Sequence, residues 1–291
     1  MDLVTPGYKA AATVARAQPH RGAAGGARLL GRAAGHVATE RRAQVERNLR
    51  RVDPGLAGAP LRRLVDETFE SYARYYEESF RLPGTSAADL DAGFRADGFE
   101  HLEAALAQGR GAIMAMPHLG GWEWSGFWVT RVKGHRVTVV VEELEPRELF
   151  DWFVDLRRSF GFDVVALGPD AGPASARALK DNHVLALLCD RDLTGNGPEV
   201  EFFGERTTLP GGPATLALRT GSPILPTAIY FDGPDRRRSV VLPPLDIERR
   251  GKLRDDVQRV TQDLAHALEG LIRAAPEQWH LLQPNWPSDR A

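Results

Sequence analysis

The stretch GAIMAMPHLGGWEWSGFW, Gly111 to Trp128, sets a histidine, adjacent glycines, a glutamate and three tryptophans beside a short apolar run. An imidazole takes a proton from a hydroxyl near neutral pH most readily when a carboxylate fixes its tautomer and raises the basicity of its other nitrogen. His118 supplies the imidazole, and Glu123 follows five residues later. On one continuous helix two such side chains diverge by about 140° at 3.6 residues per turn. The pair therefore meets only if His118 stands in the turn before a helix that starts near Trp122. Pro117, Gly120 and Gly121 permit that turn, and the first helical turn is where the macrodipole favours a carboxylate. Glu199 and Glu201 alternate with apolar residues in PEVEFF, so on a strand they share one face. They are rival partners for the imidazole. Glu123 ranks first by position, and the sequence does not choose among the three.

Other chemistries have less support. No second His or Cys lies near His118 at zinc-ligand spacing, so no metal is expected there. Ser125 is outside any G-x-S-x-G elbow. The buried-strand candidate HVLALLC runs into Asp190-x-Asp192, the short pattern with which many glycosyltransferases hold a metal and a nucleotide sugar. Backbone N–H groups around Gly120 and Gly121 are candidate donors to a developing oxyanion.

These side chains need a scaffold. From Gly111 onward, strand candidates (AIMAM, RVTVVVE, DVVAL, HVLALLC, VEFF, PILPTAIY, SVVL) alternate with helix candidates around residues 122–132, 147–160, 174–180, 213–220 and 254–273. That alternation predicts an α/β fold with a central, mostly parallel sheet flanked by helices on both faces. The first third reads as helical, with Leu61, Val65, Phe69, Tyr72, Tyr76 and Phe80 forming a stripe at three- and four-residue spacing. A single domain over 1–291 is expected, with 39–110 helical and 111–291 the α/β core. His118 directly follows AIMAM, at the carboxyl end of a strand, where open sheets bind ligands.

The bulk numbers narrow the function classes. Hydrophobic content of 43% with 26% charged residues fits a folded globular chain. The 37 basic and 39 acidic residues nearly cancel, which argues against a protein built to coat nucleic acid. The single cysteine, Cys189, forms no internal disulfide and fits a reducing compartment. No apolar run approaches the roughly 20 residues that span a bilayer. Residues 1–38 nevertheless carry Arg16, His20, Arg21, Arg28, Arg32 and His36 among small apolar residues, with Asp2 the one acid before Glu40. Such a segment suits a helical hairpin lying on an anionic membrane surface or packed on the domain.

MPHLGGWEW resembles the H-x4-[DE] motif of the lipid A biosynthesis acyltransferase family. The likeness extends through CDRDLTGNGPEVEFFGERTTLPGGPATLALRTGSPILP, and VERNLRRV, YARYYEESFRLP and PEQWHLLQPNW carry it over roughly Arg41 to Trp286. The wording is most similar to the actinobacterial branch, the phosphatidylinositol mannoside acyltransferases.

That resemblance implies transfer of a palmitoyl-like group from acyl-CoA, a donor substrate rather than a cofactor, to a sugar hydroxyl of a mannosylated phosphoinositide. His118 would be the base, with a carboxylate partner. A thiolate leaves readily, since a thiol has a pKa of about 8.5, and no covalent nucleophile accompanies the dyad, so direct transfer is expected. Trp124, Phe127 and Trp128 share one helix face and Trp122 points elsewhere; all four are candidates for the wall of an acyl-chain groove. About fifteen methylenes at roughly 0.8 kcal/mol each would supply much of the donor's binding. Arg157, Arg191, Arg206 and Arg219 are candidates for phosphate contacts, and Asp190 joins the substrate-binding set. The run Arg236-Arg237-Arg238 reads as a surface hairpin tip. The expected location is peripheral, on the cytoplasmic face of the cell membrane. Three alternatives stand beside this reading: a lipid A-type acceptor, a D-x-D glycosyltransferase, and a lipid carrier without turnover.

Overall fold

A computed structural model of the chain describes residues 4–17 and 20–290. Asp2 and the side chains of His20 and Arg21, which entered the N-terminal charge pattern, lie outside the described residues. The chain opens with helices α1 (Val4–Ala17), α2 (His20–Val37), α3 (Thr39–Val52) and α4 (Gly58–Arg81), followed by the short α5 (Ala87–Ala92). Then come β1 (Phe94–Asp97), α6 (Phe99–Leu106), β2 (Ala112–Met116), α7 (Trp122–Arg131), β3 (Val137–Val141), α8 (Arg147–Ser159), β4 (Phe162–Ala166), α9 (Ala171–Lys180) and β5 (Val184–Leu188). The last third holds β6 (Glu199–Phe202), β7 (Glu205–Thr208), α10 (Gly212–Thr220), β8 (Ile224–Phe231), β9 (Arg237–Val241) and α11 (Leu253–Arg273).

Seven of the described strands form one sheet in the order β1-β9-β8-β2-β5-β3-β4. Every pairing is parallel except β8 with β9. Strand β2 sits mid-sheet and is buried on both faces, as its unbroken apolar sequence requires. Its side chains alternate between two cores. Ile113 and Ala115 join Leu179 of α9 and the apolar faces of α10 and α11, whereas Ala112 and Met114 join Phe99, Leu102, Phe127 and Phe153 from α6, α7 and α8. The expected fold class is thus found, with helices on both faces.

Two parts of the sequence reading are corrected. VEFF is not in the main sheet: β6 pairs antiparallel with β7 as a separate hairpin. The region read as helical, 39–110, also contributes β1, which adds to the sheet edge beside β9. FRAD is too short and too polar to announce itself as a strand.

The predicted stripe on α4 faces inward, and Leu61, Val65, Phe69 and Phe80 are buried. Helix α2 lies unusually close to it. A side chain at Gly31 would place Cβ 2.5 Å from the Phe69 carbonyl oxygen, and one at Gly35 would meet the Phe69 ring at 2.7 Å. Only glycine allows that approach. No described helix is long and apolar enough to cross a membrane.

Candidate active site

Strand β2 ends at Met116, and the chain turns through Pro117–Gly121 before α7 begins. Strands β2 and β5 pair in parallel with Met116 opposite Leu188. Two residues beyond each strand, His118 meets Asp190. The imidazole Nδ1 lies 2.7 Å from Asp190 Oδ1, and the backbone N–H of His118 donates to Oδ2 at 3.0 Å. The indole N–H of Trp279 donates to the same Oδ2 at 2.7 Å, and the Asn285 side-chain amide donates to the Asp190 carbonyl at 3.1 Å. The Asp190 side chain is fully buried, while that of His118 is 29% exposed. Burial alone would push the Asp190 carboxyl up. The charge and hydrogen bonds of His118, with the Trp279 N–H, outweigh burial and hold it below the ordinary carboxylate range.

The turn is held by the segment after α11. The N–H of His280 donates to the His118 carbonyl at 2.7 Å, the N–H of Gly120 donates to the Gln278 carbonyl at 3.0 Å, and Leu119 bridges to Trp279. Gly120 has φ +60°, and a Cβ there would lie 2.0 Å from the Ile229 carbonyl oxygen, so the turn can pass β8 only as glycine. The His118 ring meets Trp122 edge-on at 5.7 Å, and Trp122 stacks on Tyr75 at 4.0 Å. His280 is buried 5.8 Å from Trp122 with its Nε2 2.8 Å from Ser71 Oγ. Burial, reinforced by the charge of His118, pushes its pKa down to about 3, so it stands neutral beside the exposed imidazole.

The carboxylates expected beside His118 lie elsewhere. The first turn of α7 aims Glu123 at α8 and α4, where Oε1 accepts from Arg157 Nε and Nη2 at 3.0 and 2.8 Å and from the Tyr75 hydroxyl at 3.2 Å. Burial works against the Arg157 charge, but Glu123 more than offsets it and raises the guanidinium's pKa. Arg157 therefore belongs to this buried ion pair, not to an open phosphate site. Glu199 and Glu201 are exposed on β6, where the backbone of that strand bonds Gln258 and Gln262 of α11.

The remaining expected residues divide. Trp124, Phe127 and Trp128 are packed into the core with Phe99, Leu102 and Phe160, and the Trp128 indole donates to Asp91 at 2.9 Å. Their shared face turns toward α5 and α6. Arg191 pairs with Glu142 at 2.8 Å, and Arg206 and Arg219 are exposed. The Asp190-x-Asp192 pattern separates on folding: Asp192 accepts from Thr194 and from the Gly197 N–H, which shapes its own loop. Arg237, expected at a hairpin tip, is buried against Glu78 and lies 4.0 Å from the Trp124 ring. Cys189 is buried, and burial pushes its thiol well up, which leaves it a poor nucleophile.

Beneath Trp122 lies a narrow apolar crevice of about 60 Å3 between α7 and the sheet. Met114, Met116, Val139, Ala186 and Leu188 line its sheet side, Gly126, Val129 and Phe162 lie farther along it, and the Glu123–Arg157 pair also contributes to its wall. A partly exposed imidazole backed by a buried carboxylate, beside an apolar slot at the end of a central strand, fits a reaction on a substrate with a greasy tail.

Comparison with known sequences shows the family of the chain. The profile of the family described as bacterial lipid A biosynthesis acyltransferase matches residues 8–288. The chain belongs to that acyltransferase family. It is 40% identical over 256 residues to a phosphatidylinositol mannoside acyltransferase of Mycobacterium tuberculosis, a match covering 84% of this chain and 77% of the other. It is 38% identical over 294 residues to the protein of the same name from Mycolicibacterium smegmatis, covering 97% of this chain and 91% of that one. The H-x4-[DE] pattern that carried the resemblance, His118 to Glu123, separates in space: the glutamate secures Arg157 and the imidazole pairs with Asp190. Sequence reading did not assign roles to Trp279, His280, Tyr75 or Ser71. PEQWHLLQPNW carried the resemblance, yet nothing in its spacing says that it returns to the turn after β2.

Proposed function

We propose that this acyltransferase moves a long fatty acyl group from acyl-CoA to a mannose hydroxyl of a phosphatidylinositol mannoside, with His118 as general base and Asp190 as its partner. The observation that carries this reading is the His118–Asp190 contact of 2.7 Å at the end of β2, beside the apolar crevice. With Asp190 accepting from Nδ1–H, Nε2 keeps its lone pair and takes the proton of the acceptor hydroxyl. The oxygen attacks the thioester carbonyl, the C–O bond forms, and the C–S bond breaks as the tetrahedral centre collapses. The departing sulfur takes the proton back from the imidazolium. The N–H groups of Trp122 and Glu123, the first two of α7 and without an i−4 partner in the helix, are suited to receive the transient oxyanion. No cofactor is required.

The crevice beneath Trp122 is assigned to the start of the donor's chain, because its apolar walls would favour methylenes. The acceptor class rests on the names of the mycobacterial relatives. Peripheral attachment at the cytoplasmic face, through the cationic α1–α2 hairpin, completes the reading. The test is incubation with labelled palmitoyl-CoA and a mannosylated phosphoinositide. Label should pass to the glycolipid with the wild type and fall at least 10³-fold with His118→Ala, on the scale of losing a general base, while the fold persists. Retained turnover in His118→Ala would remove the proposed base. Transfer from a nucleotide sugar instead would point to a glycosyltransferase, and tight lipid binding with neither transfer would point to a carrier.

A further inference from the structure

A second apolar space, which shares no lining residue with the crevice, lies against α4. Helices α1 and α2 straddle α4 and enclose a groove of about 630 Å3. Its walls are small residues, among them Gly7 and Ala11 on α1 and Gly26 and Ala34 on α2, and Tyr76 and Phe80 of α4 help form its floor. The mouth is greasy and exposed: Val14 is 54%, Leu30 72% and the neighbouring Leu29 73% open to solvent. Exposed Lys9 and Arg28 lie on the same two helices, which contain no acidic residue. Leucines held open in this way suit hydrocarbon, and the cations beside them suit an anionic headgroup layer. Inside, burial followed by the neighbouring Glu78 charge pushes Glu77 up to about 7, against the opposing charge of Arg81 at 3.4 Å.

Three ring contacts connect Tyr76 of the groove to His118 of the candidate active site. Tyr76 touches Tyr75 at 5.1 Å, Tyr75 stacks on Trp122 at 4.0 Å, and Trp122 meets His118 at 5.7 Å. The donor crevice runs along the sheet, so this groove is separate from it. We propose that the groove between α1, α2 and α4 binds one fatty chain of the acceptor lipid, anchoring that lipid while its sugar reaches His118. The assignment to the acceptor rests on the function proposed above; the presence of a lipid chain in the groove does not.

The experiment uses full-length protein with vesicles of phosphatidylcholine and phosphatidylglycerol that contain phosphatidylinositol with a diazirine midway along one chain. After illumination, covalent label should map to the α4 segment 69–80. Gly26→Phe should cut that label at least tenfold, while vesicle sedimentation changes less than twofold. Gly26 and Gly7 line the groove from α2 and α1, and a Cβ at either meets nothing within 4 Å, so Gly26→Phe and Gly7→Phe add bulk at its walls without a clash at Cβ. Label confined to α1 and α2, or label on α4 unaffected by both substitutions, overturns the proposal. Loss of label in step with loss of vesicle binding also overturns it, because the face would then be a membrane contact only. Labelling needs no turnover, so His118→Ala should label like the wild type. Failure of the catalytic reading and failure of the groove assignment therefore show up in different measurements.

Discussion

At His118 the two ring nitrogens differ because Asp190 engages one of them, along with the backbone N–H of the same residue. The carboxylate is buried yet held below its ordinary pKa, so it stays ionised at neutral pH and loses its stabilising charge only as pH falls through that lowered value. Asp190→Asn keeps the size of the side chain and leaves an amide oxygen for the Trp279 indole, but removes the charge that supports the imidazolium. Its kcat should fall by about 10²-fold or more with KM little changed. Steady-state kinetics on the glycolipid acceptor checks this, and an unchanged kcat would mean that the contact is structural only. The position of the proposed base was legible in the sequence, since Pro117, the paired glycines and the preceding apolar run announce a turn at a strand end. Its partner was not. Asp190 drew notice for D-x-D and for the family likeness, and the link to His118 needs the knowledge that β2 and β5 are neighbours with Met116 opposite Leu188.

At the level of elements, apolar alternation read the strands well but did not say which sheet each one joins, so VEFF was misplaced and the polar edge strand β1 was missed. The same limit applied to α7. Spacing grouped Trp124, Phe127 and Trp128 on one face, but the packing of α5 and α6 decides that this face is core and that Gly126 and Val129 look onto the crevice. Glu123 illustrates how a motif position can serve its element. It fastens α7 to α8 through Arg157, and removing one member of a buried pair leaves the other charge uncompensated. Glu123→Ala should therefore lose roughly 3–5 kcal/mol of stability, reduced somewhat because Arg157 keeps partial access to water. The double variant Glu123→Ala/Arg157→Ala should lose less than the sum of the two single losses. Chemical denaturation measures both, and strict additivity would deny the coupling.

Over the whole molecule, α4 is the shared wall: one face receives the N-terminal hairpin, and Tyr75 on another backs the site. Within it Glu77 is buried near Glu78, Arg74, Arg81 and Arg237, and its pKa of about 7 exceeds the ordinary 4.5. A raised carboxyl pKa means that the folded state binds the extra proton, so stability declines as pH rises from about 4.5 to 7, by roughly 3 kcal/mol in total at 1.36 kcal/mol per unit. Glu77→Gln should flatten that decline, and calorimetry at pH 5 and pH 8 compares the slopes; parallel profiles would contradict the assignment. The segment after α11 has a different reach. Trp279 and Asn285 grip Asp190, His280 and Gln278 hold the histidine turn, and Asp289 engages Gln44, Arg47 and Arg51 of α3. During translation these residues emerge long after the imidazole, and ribosomes add about 5–20 residues per second. A nascent chain that has just finished Arg273 has made every described strand of the sheet but cannot yet brace the proposed base, so the ability to transfer acyl groups should switch on only once residues 278–289 have been added.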